Sequence, residues 1–342
     1  MGWIKTASLF ITAVLVAVAT LAWSTYAMPK SMMSIWFSPR QDNIDMSKPP
    51  GLRAAFTKYD FPAMLPLDAP WQTAASRIAV LTIGVHTMQH YDDLPAVISM
   101  INRYTLQVAT AGAMVFTDGL CANKGIEGMD RSKDFAREVV DALRKWRDAG
   151  GRLDYIIMDG PFYFGYYFTA KDCHYSIAEV ARRSAATFRE IQKIYPAIKV
   201  MDAEGPGATP VDAWLPDLQT WLNAFKSATG HPVDAFGMDF QWKDNWHTGY
   251  DWVSALRVTT NFLHKQGIAA GLGINAYDRD VTNTQWMDDN RGHLKTAIDA
   301  NAGLDFVIIN SWMKYPERNL PESDPEAYTS LVNTAYSIIH AK

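Results

Sequence analysis

Three features of this 342-residue chain predict a parallel (β/α)8 TIM barrel, a single-domain α/β fold with an irregular first βα unit. Eight short runs are enriched in β-branched and aromatic residues. Beyond the second run, segments of helical periodicity separate them, a βα rhythm that favours a parallel sheet. Three consecutive runs in the middle of the chain close on carboxylates, Asp159, Glu204 and Asp239. In such a barrel the C-terminal strand ends meet at one mouth, which carries the chemistry, while the opposite face serves stability.

The strand candidates are residues 33–38, 78–86, 106–116, 153–159, 198–204, 233–239, 268–275 and 304–311. Between them, Phe135, Val139, Ala142, Leu143 and Trp146 share one helix face, and Gly150-Gly151 stops that helix. Ser176-Ile-Ala-Glu179 and Thr282-Asn-Thr-Gln285 have capping-box spacing, which satisfies orphan N–H groups at a helix start. Thr209-Pro210 reads as an N-cap followed by proline at the first helical position, and Asp324-Pro325 as the opening of the last helix. The first unit is proline-rich over residues 39–72 and reads as a long loop covering part of one end. An open doubly wound sheet would need a glycine-rich phosphate turn after an early strand. Gly271-Leu-Gly273 is late, lies within a strand and lacks the third glycine.

Hydrophobic residues make up 48% and charged residues 20%, the balance of an ordinary globular core. A net charge of −4 without a lysine-arginine cluster excludes a nucleic-acid partner on electrostatic grounds. Residues 1–27 read as a signal peptide, with one lysine, an apolar run and small residues near Ala27. An uncleaved membrane anchor is the competing reading, and the barrel domain then occupies residues 31–342. The expected location is periplasmic or extracellular. Export permits a disulfide between Cys121 and Cys173, which follow neighbouring strands and would pin two mouth loops together. Nothing in the chain indicates an oligomeric state.

Each carboxylate has two readings. Asp159 follows the apolar Tyr155-Ile-Ile-Met158 and precedes Gly160-Pro161, so it is a strand-end acid or a turn former. Glu204 closes Lys199-Val-Met-Asp-Ala ahead of Gly205, and glutamate is a poor local cap. Asp202, two residues earlier, points to the same side and is expected in the barrel interior as a partner. Asp239 lies among aromatics in Phe236-Gly-Met-Asp-Phe-Gln-Trp242. Together they suit glycoside hydrolysis, which needs one protonated and one ionised carboxyl. Trp36, Tyr163, Trp242 and Trp312 are candidate sugar-stacking residues, with Asn275, Tyr277 and Asn310 as hydrogen-bonding ones. His86, read as ending the second strand, is a further substrate contact. With the three acids it could alternatively ligate a divalent metal, although no His-Glu-x-x-His or EF-hand pattern occurs and no cofactor is expected.

From Ile35-Trp-Phe-Ser-Pro39 to Asn310-Ser-Trp312 the chain resembles the (β/α)8-barrel glycoside hydrolase superfamily, and more narrowly secreted bacterial hydrolase-like barrels. Ser311-Trp312 is similar to the strand-eight tryptophan that floors the sugar subsite in many such enzymes. Two positions depart from the large retaining clan. Asp159-Gly160-Pro161 stands where the clan has Asn-Glu-Pro, and Gly273-Ile-Asn275-Ala276 has no nucleophilic carboxylate. A second group of barrel glycosidases uses aspartates at the ends of strands four and six, places that Asp159 and Asp239 occupy with Glu204 between them. The resemblance implies hydrolysis of a polysaccharide or oligosaccharide with Asp159 and Asp239 as the preferred pair. The rival expectations are a non-catalytic glycan-binding barrel of the cell envelope and a metal-dependent sugar isomerase or lyase.

Overall fold

The computed structural model describes residues 33–41, 43–44, 56–57, 59–113, 129–167, 175–205, 209–240, 251–275, 280–311 and 314–341. The N-terminal segment read as a signal peptide or anchor, both cysteines, Trp242, Tyr277 and Trp312 lie outside these residues. Among the described residues no helix is long and apolar enough to cross a membrane.

Eight parallel strands close into a barrel. They are β1 (Ser34–Phe37), β2 (Val80–Thr82), β3 (Gln107–Ala113), β4 (Tyr155–Asp159), β5 (Lys199–Glu204), β6 (Ala235–Met238), β7 (Ala269–Ile274) and β8 (Phe306–Ile309). Closure is by β1 against β8, with Trp36 opposite Ile308, and by β1 against β2, with Trp36 opposite Val80. All eight expected strands are present in order, each shorter than its apolar run. The helices are α1 (Gln72–Ala75), α2 (Val85–His90), α3 (Leu94–Arg103), α4 (Met129–Asp148), α5 (Ile177–Ile194), α6 (Val211–Thr229), α7 (Trp252–Lys265), α8 (Asn283–Asp299) and α9 (Tyr328–His340).

Both capping boxes start helices as expected. Ser176 accepts from the Glu179 N–H, and Thr282 from the Gln285 N–H. Two other starts fall later than expected. Pro210 itself is the cap of α6, with no side-chain bond from Thr209, and α9 opens at Tyr328 rather than at Pro325. Residues 324–327 turn first, with Asp324 accepting the Glu326 and Ala327 N–H groups. The second strand is also cut short. The chain enters α2 at Val85, so His86 sits in a helix rather than at a strand end.

One core lies between barrel and helices, and a second fills the barrel itself. In the second, Trp36 stacks on Phe306 at 4.6 Å and tilts against Tyr155 at 4.7 Å. The glycines of β6 and β7 make room for these bulky neighbours. A Cβ at Gly271 would fall 2.1 Å from the Phe306 ring, and one at Gly237 would fall 2.8 Å from Ile308. Trp36 is 4% exposed, so its indole packs the interior and is not the open sugar platform expected of it.

At the barrel's stability face, an aspartate precedes every second strand from β4. Asp154, Asp234 and Asp305 accept the N–H groups of Val108, Val200 and Ala270 on the preceding strand, each at 2.8 Å. These carboxylates satisfy donors that the ladder leaves open where it begins.

Candidate active site at the barrel mouth

Alternation along a strand sends every second side chain inward. In β4 the inward set is Tyr155, Ile157 and Asp159, because Tyr155 and Ile157 belong to the barrel-interior cluster. In β6 it begins at Ala235, passes Gly237 and reaches Asp239 just beyond the strand. Asp159 and Asp239 therefore face into the mouth from strands four and six, and both are partly exposed. The ladder extends to Asp239, whose N–H donates to the Glu204 carbonyl at 2.9 Å.

Their environments differ. Burial, and then the charge of Asp239, push Asp159 up to about 6. Asp239 is also raised by burial, but the Asn275 amide donates to its Oδ1 at 3.0 Å and favours the ionised form. Gly273 stands beside Asp239 in the ladder. A Cβ there would lie 3.7 Å from Asp239 Oδ1, at ordinary contact distance. Asn275 is buried at 5% exposure, its side chain committed to Asp239. Asn310 follows β8 beside Asn275, since Ile309 pairs with Ile274. It has the inward parity of Phe306 and Ile308, and its Oδ1 is buried with no hydrogen-bond partner.

Glu204 does not join the pair. Met201 and Ala203 face the interior on β5, so Asp202 and Glu204 face outward, toward the helices. This corrects the expectation that Asp202 lines the barrel interior. Asp202 is fully buried and accepts from Trp221 Nε1 on α6 at 2.7 Å. Glu204 is 1% exposed, and its two oxygens accept the N–H groups of Phe162 at 2.6 Å and Tyr163 at 3.0 Å. Burial first pushes both carboxyls above their ordinary range; the charge of Asp159 adds to Asp202, which reaches about 7, and the charges of Asp202 and then Asp159 add to Glu204.

The aromatic segment after β4 is packed more than displayed. Phe162 is fully buried and stacks on Trp221 at 5.9 Å, and Tyr167 donates its hydroxyl to Asp217 at 2.6 Å. Tyr163 is partly exposed, with its ring edge-on to Phe164 at 5.3 Å. His86 meets His90 one helical turn away, with ring centroids 4.5 Å apart. His86 thus stands on a helix, not on a strand end beside the acids as the metal reading required. Among the described residues, no three His, Cys, Asp or Glu side chains are grouped to hold a metal ion.

A signal for the site runs through the even strands. Asp159, Asp239 and Asn310 each lie five residues beyond the ladder-capping aspartates Asp154, Asp234 and Asp305. The same short phrase, an acid at the strand start and a polar residue at its end, marks Asp159, Asp239 and Asn310, while Asn275 on β7 lies outside it.

The class these features define is a (β/α)8 barrel with two inward-facing acids at the C-terminal mouth. No family model matches the chain, and no curated protein matches it. Among solved structures it is similar to xylanase 10B from Thermotoga maritima, at 12% identity, covering 92% of this chain and 98% of that one, with a TM-score of 0.52. It is also similar to an endo-1,4-beta-xylanase from Caldicellulosiruptor owensensis, at 12% identity, 89% and 97% coverage, and a TM-score of 0.48. The fold is a (β/α)8 barrel of the kind these structures have, and at such identities the likeness is one of fold alone.

Proposed function

We propose that the protein is a glycoside hydrolase that cleaves a polysaccharide or oligosaccharide with Asp159 as general acid and Asp239 as its ionised partner. The observation that carries this reading is two acids that face one mouth in unlike surroundings. Asp159 is raised to about 6 by burial and by Asp239, while Asp239, also raised by burial, receives a hydrogen bond from Asn275 that favours its ionised form. Such a pair suits one carboxyl that keeps its proton and one that gives it up, as this chemistry needs. Asp159 donates its proton to the glycosidic oxygen as the bond to the anomeric carbon breaks. Asp239 either attacks that carbon or takes a proton from the water that does. Asn310, with an unpartnered acceptor beside Asn275, is suited to a sugar hydroxyl.

The N-terminal apolar run supports action outside the cytoplasm, where polymeric glycans are met. The test is a broad glycan panel with the parent, Asp159→Asn and Asp239→Asn, following cleavage and binding separately. The proposal expects cleavage of at least one glycan by the parent and a loss of roughly 10²–10⁴-fold in either variant, with binding kept. Binding by the parent without any cleavage would instead identify a glycan-binding barrel.

A further inference from the structure

We infer that Glu204 is a positioning residue that holds both mouth acids in place, from outside the barrel. The inference rests on the reading of Asp159 and Asp239 as the reacting pair. It is carried by three contacts that meet at one residue. The side chain of Glu204 takes the N–H groups of Phe162 and Tyr163, at 2.6 and 3.0 Å. These are the first two residues after the Asp159-Gly160-Pro161 turn. Its backbone carbonyl takes the N–H of Asp239 at 2.9 Å. One residue therefore ties down the chain that leaves one acid and the backbone of the other.

The turn itself needs such a tie. Gly160 has φ +64°, and its N–H donates to the Ala203 carbonyl at 2.8 Å, which fixes the near end of the turn to β5. Pro161 has no N–H to give. The next donors are those of Phe162 and Tyr163, and both are held by the Glu204 carboxylate. Each N–H is taken by a different oxygen of Glu204, and an amide side chain of the same size would keep only one of these acceptors. Burying a carboxylate is costly unless it is well bonded. This glutamate is 1% exposed and lies beside a second buried acid, Asp202, so its position works against stability in isolation. The cost is explained if the carboxylate sets the geometry of the mouth. Phe162 is fully buried, its ring stacked on Trp221, so water does not compete for its N–H.

Glu204→Gln is the test, because it keeps the size and removes one of the two acceptors. Hydrogen exchange of the Phe162 and Tyr163 amides and the carboxyl titration of Asp159, both followed by NMR, do not depend on activity. In the parent, both amides should exchange at least 100-fold slower than in an unfolded chain. In Glu204→Gln they should exchange at least tenfold faster, and the Asp159 titration should move from about 6. On the glycan the parent cleaves, kcat should fall at least tenfold with KM within threefold, an effect a merely structural role would not confine to kcat. Unchanged exchange and an unchanged Asp159 titration would overturn the inference. So would rapid exchange of the two amides in the parent, a result that needs no folded variant. A parent that cleaves no glycan removes the hydrolase reading, while the exchange and titration results still decide the place of Glu204.

Discussion

At the scale of residues, the account turns on which carboxylate faces where. Parity along a strand explains why Asp159 and Asp239 share the mouth while Glu204, one position off the inward set of β5, is turned to the helices. The sequence could place all three at strand ends, but not on a face, because β5 alternates two mixed sets, Lys199-Met201-Ala203 against Val200-Asp202-Glu204, and the acids sit on the side opposite the one that fills the barrel. Asn275 supplies a second residue-level expectation. Its amide favours the charged form of Asp239, so Asn275→Ala should raise the Asp239 pKa. A base that must be ionised then works only at higher pH. The acid limb of the kcat/KM profile should shift upward, with about a tenfold loss at the parent's optimum. An acid limb that stays in place would separate Asn275 from the chemistry. Gly160 also acquires a reason at this scale. A Cβ there would meet the Phe164 ring at 2.7 Å on a left-handed backbone, so the glutamate of the large retaining clan has no room at this position.

Elements decide how the mouth is held. The seam between β1 and β8 is fastened by the loops that follow these strands. Arg40 donates to the carbonyls of Ser311 at 2.7 Å and Lys314 at 3.3 Å, and its own N–H donates to Asn319 Oδ1. Asp60 accepts three N–H groups from Asn319 and Leu320. Asn319 is fully buried at the centre of this clasp. Asn319→Ala would leave the Arg40 N–H and carbonyl without these partners and remove one of the three bonds to Asp60, and should lower unfolding stability by about 2–4 kcal/mol in denaturant titration. A loss below about 0.5 kcal/mol would show that the seam is held elsewhere. Here the sequence was least legible. Residues 39–72 read as a proline-rich loop, and nothing local forecasts that Arg40 and Asp60 find partners more than 250 positions away. The strands, by contrast, were legible throughout, because runs such as Tyr155-Ile-Ile-Met158 are apolar on both faces, as buried parallel strands must be. Trp36 was misread for the same reason. An aromatic in such a run suits the filled interior as well as the open mouth, and only the space that Gly271 leaves for its stacking partner Phe306 settles the matter.

For the whole molecule, the buried acids set a pH dependence of stability. Asp159 is raised to about 6 and Asp202 to about 7, so the folded state holds these protons more tightly than the unfolded chain does. Their contribution is fully present below the ordinary aspartate value of about 4, and is lost as pH rises through 6 to 7. Carboxylates held low act in the opposite sense. Glu179, lowered to about 2 by its hydrogen bond to Arg182, loses its contribution only in strong acid, and solvent screening keeps it small. Thermal stability should therefore decline from about pH 4 toward pH 8, and Asp202→Asn should flatten that decline. A melting temperature that rises steadily from pH 5 to 8 would contradict the burial of these acids. The pairing of acid and base is tested most directly by changing the leaving group. On a dinitrophenyl glycoside of the sugar the parent releases, departure needs no proton. The account predicts that Asp159→Asn recovers most of the parent's rate on this substrate while Asp239→Asn does not. Equal loss in both variants, or recovery in Asp239→Asn alone, would contradict the assignment of Asp159 as the proton donor.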